Sequence, residues 1–336
     1  MEENLAPARA YDHIAVIGAG AWGTALAVVA AQAARRVTLW AREPEVIRSI
    51  RQENENRPFL PGVPLPDGLE PTSELEAAEH AEALLVAVPA QHVRSSLRSL
   101  SPAALSSRPV TLCAKGIERG TGKLLSEILI ECGAEMPAIL SGPSFARDVA
   151  RHLPTAVTIA AQHTVARRLQ ATLASSTFRP YVSEDLIGVA LGGAAKNVYA
   201  IGCGIVVGLG LGESARAALL ARSFAELCRV AQVLNARDET LMGLSGLGDL
   251  VLTATSPTSR NFSFGLALGN GRSLAELLAP GQPLAEGVET APALVARGSA
   301  HGVELPVAET VSDILAHRLT PEAAVPRLML RPHRSE

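Results

Sequence analysis

Residues 13–30 read HIAVIGAGAWGTALAVVA, and this stretch decides the fold of the chain. The apolar run 14–17 leads directly into Gly18, Gly20 and Gly23, which stand at the spacing G-x-G-x-x-G. That order predicts a strand, a tight turn and the start of a helix. Gly18 permits the turn, Gly20 lets a pyrophosphate approach the backbone, and Gly23 lets the helix pack closely on the strand. The stretch therefore predicts a dinucleotide site at the amino end of a helix.

Short apolar runs alternate with helical patterns as far as about residue 183, which predicts a doubly wound parallel sheet. The other predicted strands are 37–40, 84–88, 110–114, 138–140, 156–160 and 178–182, and predicted helices cover about 22–34, 43–52 and 164–173. Residues 54–72 contain five prolines, so they are predicted to form a rigid loop.

From about residue 185 the strand-like runs stop and the chain reads as successive helices. We therefore predict an α/β chain: an N-terminal Rossmann-like domain with a doubly wound parallel sheet, followed by a C-terminal all-helical domain. The predicted domains are residues 1–185, of which 1–10 form a loose tail, and residues 186–330, which carry the substrate. A length of 336 residues suits two such domains.

Composition excludes several classes of function. The net charge is −3 and the isoelectric point is about 6.3, so no basic field recruits nucleic acid or acidic lipid. The four cysteines lack C-x-x-C spacing and the amino terminus lacks a signal-peptide pattern, so we expect a cytoplasmic protein. The weakly polar run 198–212 is too short and too rich in glycine to span a bilayer. The eight histidines show no metal-ligand spacing, so no metal site is predicted.

The end of the second predicted strand selects the cofactor in this kind of fold. An acidic residue there would bind the ribose 2′-hydroxyl of NAD, whereas this chain has Arg42, whose guanidinium suits a 2′-phosphate. NADP(H) is therefore favoured. Two alternatives remain open: Arg42 stacks on the adenine of NAD(H), or it is an ordinary surface arginine.

The residues that follow each strand of such a sheet line its ligand crevice. Lys115 follows one predicted strand, and the segment from Gly142 to Ser144 follows the next. A single lysine after a strand is usually a solvated loop residue, but the sheet geometry would point Lys115 at the ligand.

Lys196 lies in a predicted helix that is otherwise built from small and apolar residues. Positions 192, 193, 199 and 200 carry no acidic side chain, so no partner is available one turn away along the helix. Gly192 should leave space beside the ammonium group. Because an unpaired buried lysine is costly, catalysis is favoured over a structural role.

Two further segments are candidates for substrate contact. Asp249 and Thr253 lie four residues apart on one predicted helical face. Ser259 precedes another predicted helix, whose amino end could hold a phosphate with the help of Arg260 and Asn261. An ordinary serine cap with an exposed arginine explains the second segment equally well.

Taken in order, several segments resemble bacterial NAD(P)-dependent sn-glycerol-3-phosphate dehydrogenases. They are residues 18–27, 114–117, 140–146, 191–201, 242–252 and 259–261. The resemblance covers about residues 13–325 and implies reversible NAD(P)H-dependent reduction of dihydroxyacetone phosphate to sn-glycerol 3-phosphate, which supplies glycerophospholipid synthesis. It also implies a cytoplasmic homodimer that needs no metal.

The resemblance also assigns roles by position. It makes Lys196 the general acid and base, with Lys115 and Asp249 beside it. Implied cofactor contacts fall on Ala21, Trp22, Arg42, Lys115, Ala146, Arg260, Leu284 and Glu286. Implied substrate contacts fall on Lys115, Gly142, Ser144, Lys196, Asp249, Thr253, Ser259, Arg260 and Asn261.

The chain departs from the family pattern at two places. His152 and its neighbour Arg151 stand where a glycine is expected, and Phe262 stands where a basic residue is frequent. The second departure leaves open how much positive charge surrounds the substrate phosphate.

In the implied reaction Lys196 would donate a proton to the reduced carbonyl oxygen while Lys115 stabilises its charge. Because two ammonium groups in one dry site disfavour each other, we predict a lowered pKa for Lys196. Asp249 would orient Lys196 or hold the substrate hydroxyls.

Two competing interpretations remain at this point. A 3-hydroxyacid dehydrogenase of the 6-phosphogluconate type would share both domains and a lysine-bearing helix, but would act on a carboxylate. A non-catalytic NADP(H) sensor would keep the fold without turnover.

Overall fold

An eight-stranded sheet organises the first half of the chain in the computed structural model, which describes residues 8–33 and 35–330. The strands are β1 His13–Ile17, β2 Arg36–Trp40, β3 Leu69–Thr72, β4 Ala83–Val86, β5 Pro109–Leu112, β6 Met136–Ser141, β7 Thr155–Ala160 and β8 Phe178–Ser183. Their order across the sheet is β3-β2-β1-β4-β5-β6-β7-β8. Strand order reverses between β1 and β4, as in dinucleotide-binding folds. The predicted fold class is confirmed.

Helices connect these strands and then make up the second half of the chain. Those of the first half are α1 Ala21–Gln32, α2 Pro44–Glu53, α3 Leu75–Ala78, α4 Val93–Arg98, α5 Pro102–Ser106, α6 Leu125–Glu131, α7 Ala146–Ala150 and α8 His163–Leu173. Those of the second half are α9 Leu186–Gly208, α10 Gly212–Val233, α11 Asp238–Met242, α12 Asp249–Thr255, α13 Arg260–Gly269, α14 Leu274–Leu277, α15 Glu286–Ala300, α16 Pro306–Leu315 and α17 Pro321–Met329. The predicted helix 22–34 ends earlier, at Gln32, and Ala34 lies outside the described residues.

The predicted parallel sheet contains one antiparallel pair, β6 with β7. Only residues 142–154 connect the two strands, and their helix α7 has five residues. A connection this short returns the chain at the end where β6 finished instead of crossing the sheet, because a parallel crossover normally needs a longer helix. Both strands are apolar, so their sequences alone did not reveal the reversal.

Strand β3 was missed, because residues 54–72 were predicted to form a loop. Pro71 lies within β3, opposite Leu39 of β2. A proline is tolerated there because β3 is an edge strand, so the missing N–H interrupts no second ladder.

At the pair Arg151 and His152, where a glycine was expected, His152 has a left-handed φ of +64°. Glycine adopts that conformation without steric cost, so a glycine would fit this position. The other departure has a packing reason, since Phe262 is 4% exposed and belongs to the core of the helical region.

The described residues form two compact units. The first contains the sheet and runs up to Ala114 and again over Leu125–Ala190. The second contains Lys115–Leu124 and the chain from Leu191 onward. The sequence did not predict that residues 115–124, here called the lysine turn, belong with the helices. The predicted boundary at residues 185 and 186 stays a prediction, and the tail predicted at 1–10 falls mostly outside the described residues.

Helix α9 is the only helix of the described chain that is long and apolar enough to cross a membrane. Of its most apolar window, 94% is buried inside the protein. That burial is typical of a core helix, and Gly204 and Gly208 explain how it is reached. A Cβ atom on either would lie within 2.5 Å of a backbone oxygen of α13.

Candidate functional site

Two lysines and one aspartate form a buried cluster in the second unit. Lys196, on α9, donates from Nζ to Asp249 Oδ1 at 2.6 Å and to Thr253 Oγ1 at 2.8 Å. Lys115, at the start of the lysine turn, donates from Nζ to Asp249 Oδ2 at 2.6 Å. Asp249 is 1% exposed and Lys196 is 7% exposed. These four residues, here called the lysine–aspartate cluster, come from three separate segments of the chain.

The geometry of α12 brings Asp249 and Thr253 to the same lysine. They lie one helical turn apart, as predicted, and Thr253 Oγ1 donates to Asp249 Oδ1 at 3.2 Å. A π-helical turn, Leu244–Gly248, precedes α12. Such turns are rare and occur often at functional sites.

Gly192 does not leave the space beside Lys196 that the sequence suggested. A Cβ atom on Gly192 would lie 2.6 Å from the carbonyl oxygen of Ser245. The missing side chain therefore admits the backbone of the π-helical turn against α9, and this contact brings α12 close to Lys196.

Burial lowers the pKa of Lys196 to about 8, because a charged amine loses its hydration inside the protein. The Asp249 carboxylate opposes this shift and the Lys115 ammonium adds to it. The predicted direction is thus confirmed, but the predicted cause was incomplete: desolvation contributes more than the second lysine.

Asp249 keeps its charge in the same surroundings. Burial by itself would raise the pKa of this carboxyl, but the ammonium groups of Lys115 and Lys196 bring it below the usual range. Two positive groups and one negative group leave the cluster with a net positive charge. Such a site can stabilise negative charge that develops on a bound oxygen, and Lys196 can gain or lose a proton near neutral pH.

Asn197 is a site residue that the sequence analysis missed. Its Nδ2 donates to the main-chain oxygen of Lys115 at 3.1 Å, and its Oδ1 accepts from Asn261 Nδ2 at 2.9 Å. Asn261 Oδ1 in turn accepts from the Gly287 N–H at 3.0 Å. The signal was available, because Asn197 is a second polar residue in the same apolar stretch that made Lys196 conspicuous.

A second overlooked signal lies in the basic residues. The sequence has three lysines among its 30 basic residues, and two of them are in the lysine–aspartate cluster. Arginine cannot release a proton at physiological pH, whereas a buried lysine can. The two cluster lysines therefore stand where a group able to transfer a proton would be useful.

The predicted phosphate-binding segment begins α13. The Ser259 hydroxyl caps this helix by accepting from the Phe262 N–H at 3.2 Å, and Arg260 is exposed at the first helical position. Asn261 is 8% exposed, with its amide held by Asn197 and Gly287. Of the predicted pair, Arg260 therefore extends toward solvent while Asn261 supports the interior. Leu284 is exposed, and Glu286 begins α15.

The glycine loop of the first unit has the geometry that a dinucleotide requires. Gly18 has a φ of +105°, and a Cβ atom on Gly23 would lie 1.8 Å from the Gly18 oxygen, so both positions need glycine for the backbone itself. Gly20 is different, because a Cβ atom there would meet no protein atom within 4 Å. The open space at Gly20, at the amino end of α1, fits a pyrophosphate.

The remaining predicted cofactor contacts also lie in the first unit. Ala21 is the first residue of α1, and Trp22 donates from Nε1 to the Cys113 oxygen at 3.1 Å. Arg42 is exposed and pairs with Glu43 at 2.8 Å. Ala146 begins α7. The structure places Arg42 beside an acid of its own chain, and its preference for a 2′-phosphate stays a prediction.

Gly142 and Ser144 follow β6 in the first unit. Gly142 has a φ of +152°, and a Cβ atom there would lie 2.9 Å from Val157 Cα, so it permits close packing against β7. The Ser144 hydroxyl donates to the Gly142 oxygen at 3.0 Å. The contacts of Gly142 and Ser144 with substrate stay a prediction. Among the described residues, no group of three histidine, cysteine, aspartate or glutamate side chains could hold a metal ion.

Comparison with known proteins gives a consistent result along the chain. Two family models match: the N-terminus of NAD-dependent glycerol-3-phosphate dehydrogenase over residues 13–166, and its C-terminus over residues 185–326. A glycerol-3-phosphate dehydrogenase (NAD(P)+) from Parvibaculum lavamentivorans is 53% identical over 329 residues, 97% of this chain and 99% of that protein. One from Rhodospirillum rubrum is 52% identical over 328 residues, 97% and 94% respectively. The crystal structure of glycerol-3-phosphate dehydrogenase from Coxiella burnetii is 37% identical, with a TM-score of 0.91 and coverage of 96% of this chain and 99% of that one.

Proposed function

The chain belongs to the NAD-dependent glycerol-3-phosphate dehydrogenase family, and we propose that it reversibly reduces dihydroxyacetone phosphate to sn-glycerol 3-phosphate with NAD(P)H. The observation that carries the proposal is the lysine–aspartate cluster: a buried amine with a pKa of about 8 beside a second ammonium group. That combination suits protonation of an oxygen that gains negative charge as a carbonyl is reduced.

The glycine loop holds the dinucleotide. Gly18 and Gly23 shape the turn, and the open side of Gly20 receives the pyrophosphate at the amino end of α1. When bound, the reduced nicotinamide supplies the hydride for the carbonyl carbon. NADP(H) is favoured through Arg42, and NAD(H) is also accepted, in agreement with the NAD(P)+ in the names of the relatives.

The proton comes from Lys196. Its ammonium group donates to the carbonyl oxygen, and Lys115 stabilises the charge on that oxygen before the proton arrives. Asp249 orients both amines, because each of its oxygens accepts from one of them at 2.6 Å. The Thr253 hydroxyl accepts a further hydrogen bond from the Lys196 amine and so helps to orient it. In the oxidation of glycerol 3-phosphate the neutral amine of Lys196 would accept the proton.

The substrate phosphate binds at the amino end of α13. Arg260 is exposed there, and the unpaired N–H groups of a helix start attract anions. Binding energy from the phosphate, remote from the carbonyl, would align the reacting carbon. We further infer contacts from Gly142, Ser144 and Ser259, and cofactor contacts from Ala146, Leu284 and Glu286.

The wider setting follows from the same family. We expect a cytoplasmic homodimer that acts on a small phosphorylated substrate, has no nucleic-acid partner, and supplies glycerol 3-phosphate for glycerophospholipid synthesis. The acidic net charge supports the absence of a nucleic-acid partner.

The test is oxidation of NADPH by the purified chain on addition of dihydroxyacetone phosphate, run beside a panel of 3-oxoacids. We expect turnover with the phosphorylated ketone only. Turnover with a 3-oxoacid alone would favour the hydroxyacid dehydrogenase, and NADPH binding without turnover would favour a sensor. Either result would overturn the proposal.

A further inference from the structure

The lysine turn, which connects β5 to α6, has a closed and defined structure. Ile117 and Leu124 form an antiparallel bridge, and both are fully buried. Between them the Gly122 N–H donates to the Glu118 oxygen at 3.0 Å, with Gly122 in the left-handed conformation at a φ of +69°. The turn therefore has a defined shape, and movement of its tip would be transmitted to its base.

Helix α15 holds the tip of this turn. The half-buried Arg297 donates from Nη1 to the Gly122 oxygen at 3.0 Å. A second link joins Arg119 to Glu289 at 3.0 Å, but the Arg119 side chain is 71% exposed, so solvent weakens that ion pair. Arg297 is accordingly the stronger tie between the turn and the helix.

The base of the turn enters the lysine–aspartate cluster. Asn197 holds the main-chain oxygen of Lys115, and the Lys115 amine reaches Asp249. The position of that amine thus depends on a turn whose far end is bound to α15 by Arg297, together with the more exposed Arg119–Glu289 ion pair.

We propose that Arg297 is a positioning residue, whose bond to the Gly122 oxygen holds the lysine turn on α15 and so keeps the Lys115 amine against Asp249. The catalytic consequence rests on the proposed function, whereas the structural consequence does not.

Loss of the bond between Arg297 and the Gly122 oxygen should change the pKa of Lys196 in a defined direction. The charged and polar groups that face Lys196 are Asp249 and Thr253 from α12 and Lys115 from the turn. If the Lys115 amine moves away, Lys196 loses a neighbouring positive charge. It also no longer shares the Asp249 carboxylate with a second amine. Both changes favour the charged amine, so the pKa of Lys196 rises.

The experiment measures that pKa directly. The chain has three lysines, so protein labelled with 13C at the lysine ε-carbon gives three side-chain signals, and a Lys196→Met sample identifies one of them. The signal is titrated in the wild type, in Arg297→Ala and in Arg297→Lys. We expect the Lys196 pKa to move from about 8 toward 10.5 in Arg297→Ala and by less in Arg297→Lys.

Arg229→Ala is the matched control, because Arg229 also donates to a main-chain carbonyl, that of Glu304 at 3.3 Å. It should leave the Lys196 pKa unchanged. In parallel, kcat/KM for dihydroxyacetone phosphate should fall about ten- to a hundredfold in Arg297→Ala, as small misplacements of catalytic groups cost that much.

Two results would overturn the inference: an unchanged Lys196 pKa in folded Arg297→Ala, or an equal shift in Arg229→Ala. If Arg297→Ala does not fold, Arg297→Lys decides by the same criterion. A wild type inactive on dihydroxyacetone phosphate would refute the proposed function instead, and the titration would still decide the role of Arg297.

Discussion

The glycine loop of the first unit and the lysine–aspartate cluster of the second are built in opposite ways. The loop occupies six consecutive residues, 18–23, in which Gly18 and Gly23 are required by the local backbone and Gly20 leaves open space for the ligand. The cluster joins residues 115, 196, 249 and 253, and each is unremarkable among its sequence neighbours except Lys196. A local element is encoded by spacing, whereas a buried ionic site is encoded by the fold that brings distant residues together.

The largest expected effect comes from comparing two substitutions, one of a positive residue in the lysine–aspartate cluster and one of a positive residue elsewhere. Lys196→Ala removes the proposed proton donor and should lower kcat by about a thousandfold or more, while NADPH still binds. Steady-state kinetics and cofactor fluorescence measure the two quantities. Arg229→Ala is the control, since it removes a positive charge from outside the cluster and the lysine turn and should leave kcat within about twofold. Near-normal kcat in Lys196→Ala would remove this residue from the mechanism.

The next prediction compares two glycines of the glycine loop, one required by the protein backbone and one required by the cofactor. A methyl group on Gly23 would overlap the Gly18 oxygen, so Gly23→Ala should destabilise the protein by more than about 2 kcal/mol. Gly20→Ala meets no protein atom and should leave stability nearly unchanged, yet weaken NADPH binding because that space belongs to the pyrophosphate. Urea unfolding and fluorescence titration provide the measurements. Equal effects of the two changes on both quantities would contradict this division.

Substitution of Arg260 tests whether the second unit, like the first, binds its ligand through a local element. In the second unit that element is the amino end of α13, which is proposed to bind the substrate phosphate. Arg260→Ala removes an exposed charge and one arm of the phosphate site, so KM for dihydroxyacetone phosphate should rise about ten- to a hundredfold. A ketone without a phosphate should be reduced no more slowly by the variant than by the wild type. An unchanged KM would place the phosphate elsewhere.

The smallest effect contrasts Asp249 with Glu226, a second buried carboxylate among the described residues of the second unit. Burial raises the pKa of Glu226 to about 7, although two N–H groups at the start of α16 donate to it. The folded state therefore holds its proton more tightly than the unfolded state, whose value is 4.5. Its contribution to stability is full below about pH 4.5 and is lost as pH rises to about 7.

Thermal unfolding of the wild type should show that loss, and Glu226→Gln should reduce the slope between these pH values. Asp313→Asn is the control, since its carboxyl has a lowered pKa and its effect lies at lower pH. An identical slope in wild type and Glu226→Gln would show that Glu226 does not titrate in this range.

The sequence predicted the fold well where structure is local. The β1–α1 unit, the helical second half and the serine cap of α13 follow from apolar runs, glycines and a capping residue. It missed β3, since Pro71 argues against a strand unless the strand is known to lie at an edge. It also missed the antiparallel β6–β7 pair, because strand direction depends on how the connection packs and not on the strands themselves.

The candidate site was predictable in part. Lys196 was conspicuous as a charge without a neighbouring acid, and the structure supplies that acid from residue 249. Lys115 was placed in the first domain by sequence order, whereas its contacts place it in the helical unit. Asn197 passed unnoticed, because its hydrogen-bond partners, Lys115 and Asn261, are 82 and 64 residues away.

The central claim is that Lys196 transfers a proton and does not merely supply positive charge. The direct test is the pH dependence of kcat/KM for dihydroxyacetone phosphate reduction in the wild type and in Lys196→Arg, which keeps the charge but cannot release a proton. We predict that the wild-type value falls as pH rises through about 8, and that Lys196→Arg is severely impaired and lacks this decline. A Lys196→Arg enzyme with near-normal activity and the same decline would contradict the account.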